Sequence, residues 1–289
     1  MPILYKNKYP ELLKEIYDAP EKLYYFGNIE LIYKASISIV GTRKSTEYGE
    51  YITKKIIEEL SNYDLNIVSG LAKGIDTIAH KAALKNNLST IVVLGSGLKN
   101  IYPKENLDLA REIAKKGLLI SEFPNNETPK KMNFPKRNRI ISALSLATII
   151  IEAPEKSGAL ITADFALEHG REVFAVPGDI DQQNSQGPLK LLKESAAHPI
   201  SSGQDVIEVL KEKIRPKFKN KKIKSLPSLK ITPEELQILT TISQARGTSF
   251  ESIQQKSKLP ISDLLSQLSL LEIKGFIRKK GNKYIRILA

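Results

Sequence analysis

The sequence predicts an α/β protein: a doubly wound, mostly parallel sheet followed by a small winged-helix-like domain. Three observations carry this prediction. Between residues 36 and 209, short β-branched runs alternate with helix-compatible stretches. Those runs are apolar on both faces, as strands of a parallel sheet covered on both sides have to be. The alternation then stops at a basic stretch, beyond which helix-cap signals and a Gly-Asn turn mark a second unit.

Taken in order, residues 1–34 read as a helical entry segment packed on the core. Residues 35–213 form the main, Rossmann-like domain. Its strands are expected at 37–40, 66–69, 90–94, 118–121, 148–152 and 173–176, with helices such as 47–60, 75–85 and 160–169 between them. Residues 214–231 read as a linker: Lys217, Lys219, Lys221, Lys222 and Lys224 crowd between Pro216 and Pro227 with few apolar residues. The rest, 232–289, reads as the second domain. There Thr232 is a cap with Pro233 at the first helical position, and helices follow at 233–243, 249–257 and 261–273. Ser262 is expected to cap the third of these, and two short strands around Gly281-Asn282 suit a wing.

Composition narrows the chemistry. With no cysteine among 289 residues, disulfides and thiolate metal sites are excluded. His80, His169 and His198 lie far apart, so neither a metal nor another cofactor is expected. The first residues lack the apolar core of a signal peptide, and no apolar run approaches a bilayer span, so a cytoplasmic protein without membrane attachment is expected. The net charge of +12 resides entirely in residues 211–289, which hold 18 basic and 6 acidic residues; residues 1–210 balance to zero. Such a tail suits a polyanionic partner, and equally a solvated lysine-rich surface.

In an open parallel sheet, ligands bind beyond the carboxyl ends of the strands. The first strand is followed by Gly41-Thr42-Arg43-Lys44. The second runs into Ser69-Gly70-Leu71-Ala72-Lys73-Gly74, and the third into Gly95-Ser96-Gly97. After the fourth come Glu122 and a loop with Lys130, Lys131, Phe134, Lys136, Arg137, Asn138 and Arg139. After the fifth, Glu152 leads to Ser157-Gly158-Ala159-Leu160-Ile161-Thr162. Small residues opening helices aim backbone N–H groups and a positive helix end at one crevice, which suits phosphates. Cations with an aromatic among them, and no evident reader of base edges, point to single-stranded nucleic acid.

Other readings stand beside these. Gly41, Gly70 and Gly74 read equally as tight turns, Phe134 as a core anchor, and Arg137 with Arg139 as an ion-pair network. Gly95-Ser96-Gly97 has Asn100 where a dinucleotide fingerprint needs its third glycine, so it reads as a structural turn. Glu122 and Glu152 would make a catalytic pair only with a partner base that the sequence does not offer, and His80 reads as structural.

Together these residues resemble the DNA-processing protein A (DprA, or Smf) family. The resemblance runs through Val68-Ser69-Gly70-Leu71-Ala72-Lys73-Gly74-Ile75-Asp76, Tyr102-Pro103, Phe134-Pro135-Lys136-Arg137-Asn138-Arg139 and Ser157-Gly158-Ala159-Leu160-Ile161-Thr162, and covers about residues 8–210. The tail resembles the winged-helix domain often appended in that family. The resemblance implies a homodimer without catalysis that binds incoming single-stranded DNA and loads the RecA recombinase onto it during natural transformation. It places Arg43, Lys131, Phe134, Arg137 and Asn138 in the strand-binding pocket. Leu189 and Ser195 stand where Asn and Gly are usual, and the helical domain that many members carry ahead of the entry segment is expected to be missing. Two rival readings are a nucleotide phosphoribohydrolase, whose glycine-rich loop needs Glu where Phe165 stands, and a winged-helix regulator of duplex DNA.

Overall fold

The computed structural model describes residues 1–217, 231–243 and 247–287. The chain divides into two units, Met1–Lys219 and Asn220–Ala289.

In the first unit, nine strands form one sheet. They are β1 (Ile3–Tyr5), β2 (Lys22–Gly27), β3 (Ser36–Val40), β4 (Asn66–Ser69), β5 (Ser89–Val93), β6 (Leu118–Ser121), β7 (Ala147–Ile150), β8 (Glu172–Ala175) and β9 (His198–Pro199). Their order is β1-β2-β6-β5-β4-β3-β7-β8-β9. From β3 the chain steps outward through β4 and β5 to β6, then returns to lay β7 against the other side of β3. All seven strands from β3 to β9 run parallel. The order therefore reverses between β3 and β7, where a doubly wound sheet opens a crevice at its carboxyl edge.

Eight helices accompany this sheet: α1 (Glu11–Lys14), α2 (Glu47–Leu60), α3 (Ile75–Lys85), α4 (Leu107–Lys116), α5 (Asn133–Ala143), α6 (Gly158–Glu168), α7 (Gln186–Lys193) and α8 (Gly203–Leu210). Helix α2 shows why they form. The Thr46 side chain accepts a hydrogen bond from the Gly49 N–H, and acids fill the first turn. Ile52, Ile56, Ile57 and Leu60 then fall on one buried stripe, each contributing about 1.5–3 kcal/mol by burial. Strand β3 shows how two layers are served by one strand: Ile37 and Ile39 pack with α2, α3 and α8, and Val40 joins the cluster that holds α5 and α6.

Two expectations about the first unit require correction. Residues 1–34 are not a helical segment: α1 is a single turn, while β1 and β2 extend the sheet antiparallel beyond β6. Leu4 and Leu23 face each other across that ladder and both are buried, and β2 covers what would be the open edge of β6. The basic stretch expected to be a loop is a helix from Asn133 onward. Pro135 is tolerated because it sits in the first turn, where a missing N–H costs no intrahelical bond.

The second unit contains α9 (Pro233–Thr241), β10 (Thr248–Ser249), α10 (Phe250–Ser257), α11 (Ile261–Ile273), β11 (Ile277–Lys280) and β12 (Lys283–Arg286), its strands ordered β10-β12-β11. Thr232 and Glu235 form a reciprocal capping box ahead of α9. Ile238, Leu239, Ile253, Leu264, Leu268, Leu271, Phe276 and Tyr284 close a separate small core. Ser262 is not a cap: α11 begins one residue earlier, behind Pro260, whose fixed φ suits a helix entrance. Lys219, Lys221, Lys222 and Lys224 lie outside the described residues. No helix among the described residues is long and apolar enough to cross a membrane.

Candidate functional site

At the reversal between β3 and β7 lies a cavity of about 530 Å³. The loop after β3 contributes Gly41, Thr42 and Arg43. The turn ahead of α5 contributes Lys131, and α5 itself Phe134, Arg137 and Asn138. The loop after β7 and the first turn of α6 contribute Lys156, Ser157, Gly158, Ala159 and Thr162, with Asp76 and Tyr102 completing the wall.

The cavity has a charged rim. Arg43, Lys131 and Lys156 are all exposed. The Arg43 guanidinium stands 5.7 Å from the centre of the Phe134 ring, within cation–π range. Tyr102 meets that ring from another side, with centroids 5.6 Å apart and planes inclined by 50°. Helix α6 aims its amino end inward: the Ser157 side chain accepts from the Ala159 N–H at 3.2 Å, and Asn138 Nδ2 donates to the Gly158 carbonyl at 3.0 Å. Cations, a helix amino terminus and two aromatic rings thus converge on one hollow wide enough for a base and its phosphates.

Beneath the rim is a floor of buried polar groups. Arg137 is only 4% exposed. Its guanidinium donates to the Gly70 carbonyl at 2.7 Å, to the Val93 carbonyl, and to Asn138 Oδ1 at 3.2 Å. It thereby ties together the carboxyl ends of β4 and β5. Burial pulls its pKa down to about 10, while the charge of Asp76 works in the opposite direction. Burial raises the Asp76 pKa, against the pull of Arg137 and of hydrogen bonds from the Gly70 and Ala72 N–H groups. A Cβ on Gly70 would lie 2.3 Å from this guanidinium, so close approach requires glycine there. Gly74 has φ +72°, the left-handed region that glycine enters without strain.

Of the sixteen residues singled out from the sequence, Gly41, Arg43, Lys131, Phe134, Arg137, Asn138, Ser157, Gly158 and Thr162 line the cavity. Seven do not. Ser69 is buried, its hydroxyl on the Ile39 carbonyl. Gly70 and Gly74 shape the floor from outside the lining. Lys44 is exposed but outside the lining, its backbone N–H donating to Thr42 Oγ1. Lys73 pairs with Glu105 at 2.6 Å. Arg139 is buried in a fork to Glu122, at 3.2 and 2.8 Å, and in a pair with Asp18 at 2.7 Å. Lys136 approaches the same Glu122 at 3.4 Å.

Helix period explains the division. Phe134, Arg137 and Asn138 share the cavity side of α5, whereas Lys136 and Arg139 fall on the other side with Glu122. Glu152 is likewise committed, accepting hydrogen bonds from the Thr46 N–H and hydroxyl at the start of α2. His80 donates or accepts at Thr90 Oγ1 over 2.7 Å, and burial holds its pKa down at about 3. Tyr102 and Lys156 were missed by the sequence reading. Tyr102 stood within a quoted motif, but nothing local marked it as facing Phe134.

The model of the family "DNA recombination-mediator protein A" matches residues 1–211. A DNA processing protein DprA of Bacillus subtilis is 46% identical over 72% of this chain and 70% of its own. Among solved structures, DNA processing protein A of Streptococcus pneumoniae is similar with a TM-score of 0.69 and 45% identity, over 72% of this chain and 73% of that one. The Helicobacter pylori protein of that name, described for its single-stranded DNA binding mode, gives 0.67 and 33%, over 73% and 95%.

Proposed function

Because this chain belongs to the DNA recombination-mediator protein A family, we propose that its cleft holds single-stranded DNA as a step in DNA processing. The observation carrying this reading is the joint placement of Arg43, Lys131 and Lys156 around the Phe134–Tyr102 pair at the strand-order reversal. The cations take phosphates and the rings take unstacked bases, a combination indifferent to sequence. The Helicobacter protein's single-stranded DNA binding and this chain's similarity to it support the same partner.

In this reading the protein is a cytoplasmic homodimer that protects incoming single strands and passes them to a RecA-type recombinase during transformation. It performs no catalysis and takes no cofactor. The second unit, three helices and a hairpin, is a winged-helix-like appendage. No observation favours the phosphoribohydrolase alternative, since Glu122 and Glu152 are both engaged in holding the fold.

Titration of fluorescent oligo-dT with the full-length chain tests the proposal. Saturable binding that weakens steeply with salt is the expected result. Equal affinity in wild type, Arg43→Ala and Lys131→Ala would sink it. Release of free base from nucleoside monophosphates would restore the enzymatic reading.

A further inference from the structure

The second unit carries cations in a pattern unlike that of the cleft. From Lys274 to Ala289 the sequence has six Lys and Arg and no Asp or Glu. Five of the six lie on the β11–β12 hairpin. Its register pairs Ile277 with Arg286, Arg278 with Ile285, Lys279 with Tyr284 and Lys280 with Lys283. Alternation then sorts the faces. Ile277 and Tyr284 are buried and define the inner face, so Arg278, Lys280 and Lys283 share the outer one. All three are exposed. Arg278 and Lys280 stand about 7 Å apart along their strand, and Lys280 directly opposes Lys283. Cations set side by side on one exposed face concentrate positive potential toward an anion.

Helix α11 offers the opposite chemistry. Its thirteen residues include no Lys or Arg, while Asp263 and Glu272 are exposed on it, with Ile261, Leu265 and Leu270. With two acids and no cation, this helix offers no counter-charge to phosphates. Among the described residues of this unit Lys256 and Lys258 are also exposed, and the hairpin holds the larger group of exposed cations. Aromatic rings are not available for it: Tyr284 and Phe276 are 6% and 7% exposed, and Phe250 packs against the core. Single-strand binding without sequence preference draws on stacking, which this surface cannot supply. A duplex keeps its bases stacked internally and presents a denser line of phosphates.

We propose that the outer face of the β11–β12 hairpin is a second nucleic-acid site, which binds the phosphate backbone of duplex DNA through Arg278, Lys280 and Lys283 without reading sequence. The protein then holds two forms of DNA in two chemically distinct places.

The test uses the full-length chain, a mixed-sequence duplex and oligo-dT. Replacing the three residues together (Arg278→Ala, Lys280→Ala, Lys283→Ala) is expected to weaken duplex binding at least tenfold at low salt. The log–log salt slope should fall by about 2–3. Oligo-dT affinity should change less than twofold, and Arg43→Ala should show the converse selectivity. Circular dichroism melting of the triple variant, together with recovery of duplex binding in Arg278→Lys, Lys280→Arg, Lys283→Arg, separates lost charge from lost fold. Three results would overturn the proposal: no duplex binding by wild type, unchanged duplex affinity in the triple variant, or equal loss toward both DNA forms. None of these bears on the cleft, whose own variants report on it separately.

Discussion

The floor and the rim of the cleft are built from the same residue types and behave as different materials. Arg137 on the floor is sealed under α5 and spends its donors on the Gly70 and Val93 carbonyls. Arg43 on the rim is exposed and stands over the face of Phe134. The first cation stabilises the loops that form the hollow; the second remains available to whatever enters. A cluster of positive charge in sequence is therefore not yet a binding site. What matters is which side chains have already been satisfied by the protein itself.

Variants can break or sharpen this contrast, and the buried cations should give the largest effects. Arg139→Ala, on the side of α5 away from the cavity, removes the fork to Glu122 and leaves that buried carboxylate facing Asp18 with Lys136 at 3.4 Å; a loss of about 3–5 kcal/mol in urea unfolding is expected. Arg137→Met should behave similarly, since it strands Asp76 and two carbonyls. Either variant unfolding like wild type would erase the distinction between buried and exposed cations.

His80 gives the floor an acid sensitivity. Its folded pKa of about 3 lies below its ordinary value of 6.5, so between these values the unfolded chain takes up a proton that the folded chain does not. Stability from this group is complete above pH 6.5 and falls as the pH drops toward 3. Urea midpoints measured across that window should decline with acid, less so in His80→Gln.

On the rim, Phe134→Leu should cost about 1–3 kcal/mol of oligo-dT binding. Arg43→Ala or Lys131→Ala should each lower the log–log salt slope by about 0.7. All three should melt close to wild type; a collapse of Phe134→Leu would make that ring a core anchor instead.

The smallest effect is expected away from both. Ser195 follows α7 with φ +54°, a left-handed position where a side chain is strained. Ser195→Gly should raise stability by about 0.5–1 kcal/mol in the same unfolding assay and leave DNA binding unchanged.

Much of the fold was legible because its signals are local. Apolar runs on both strand faces marked six parallel strands. Thr232 as a cap, with Pro233 behind it, marked the start of α9. Strands β1 and β2 escaped notice because their reason for existing, an uncovered β6 edge, lies about a hundred residues away in sequence. The same limit governed the site. Arg137 and Arg139 looked like Lys131 from the sequence, and the helix turning through Asn133 to Ala143 sent them to a carbonyl cage and an acidic pair.

The sequence alone determined the strand–helix rhythm, the loops that end at the carboxyl edge of the sheet, and the concentration of charge in the last quarter of the chain. Each of these follows from residue type and short spacing. The tertiary structure decided which cations the protein buried and paired, that Tyr102 would face Phe134, and that Arg278, Lys280 and Lys283 would share one exposed face. Those outcomes depend on which groups meet across long separations, and burial decides them: a charge removed from water must be paired within the protein, and one left in water remains available to a partner.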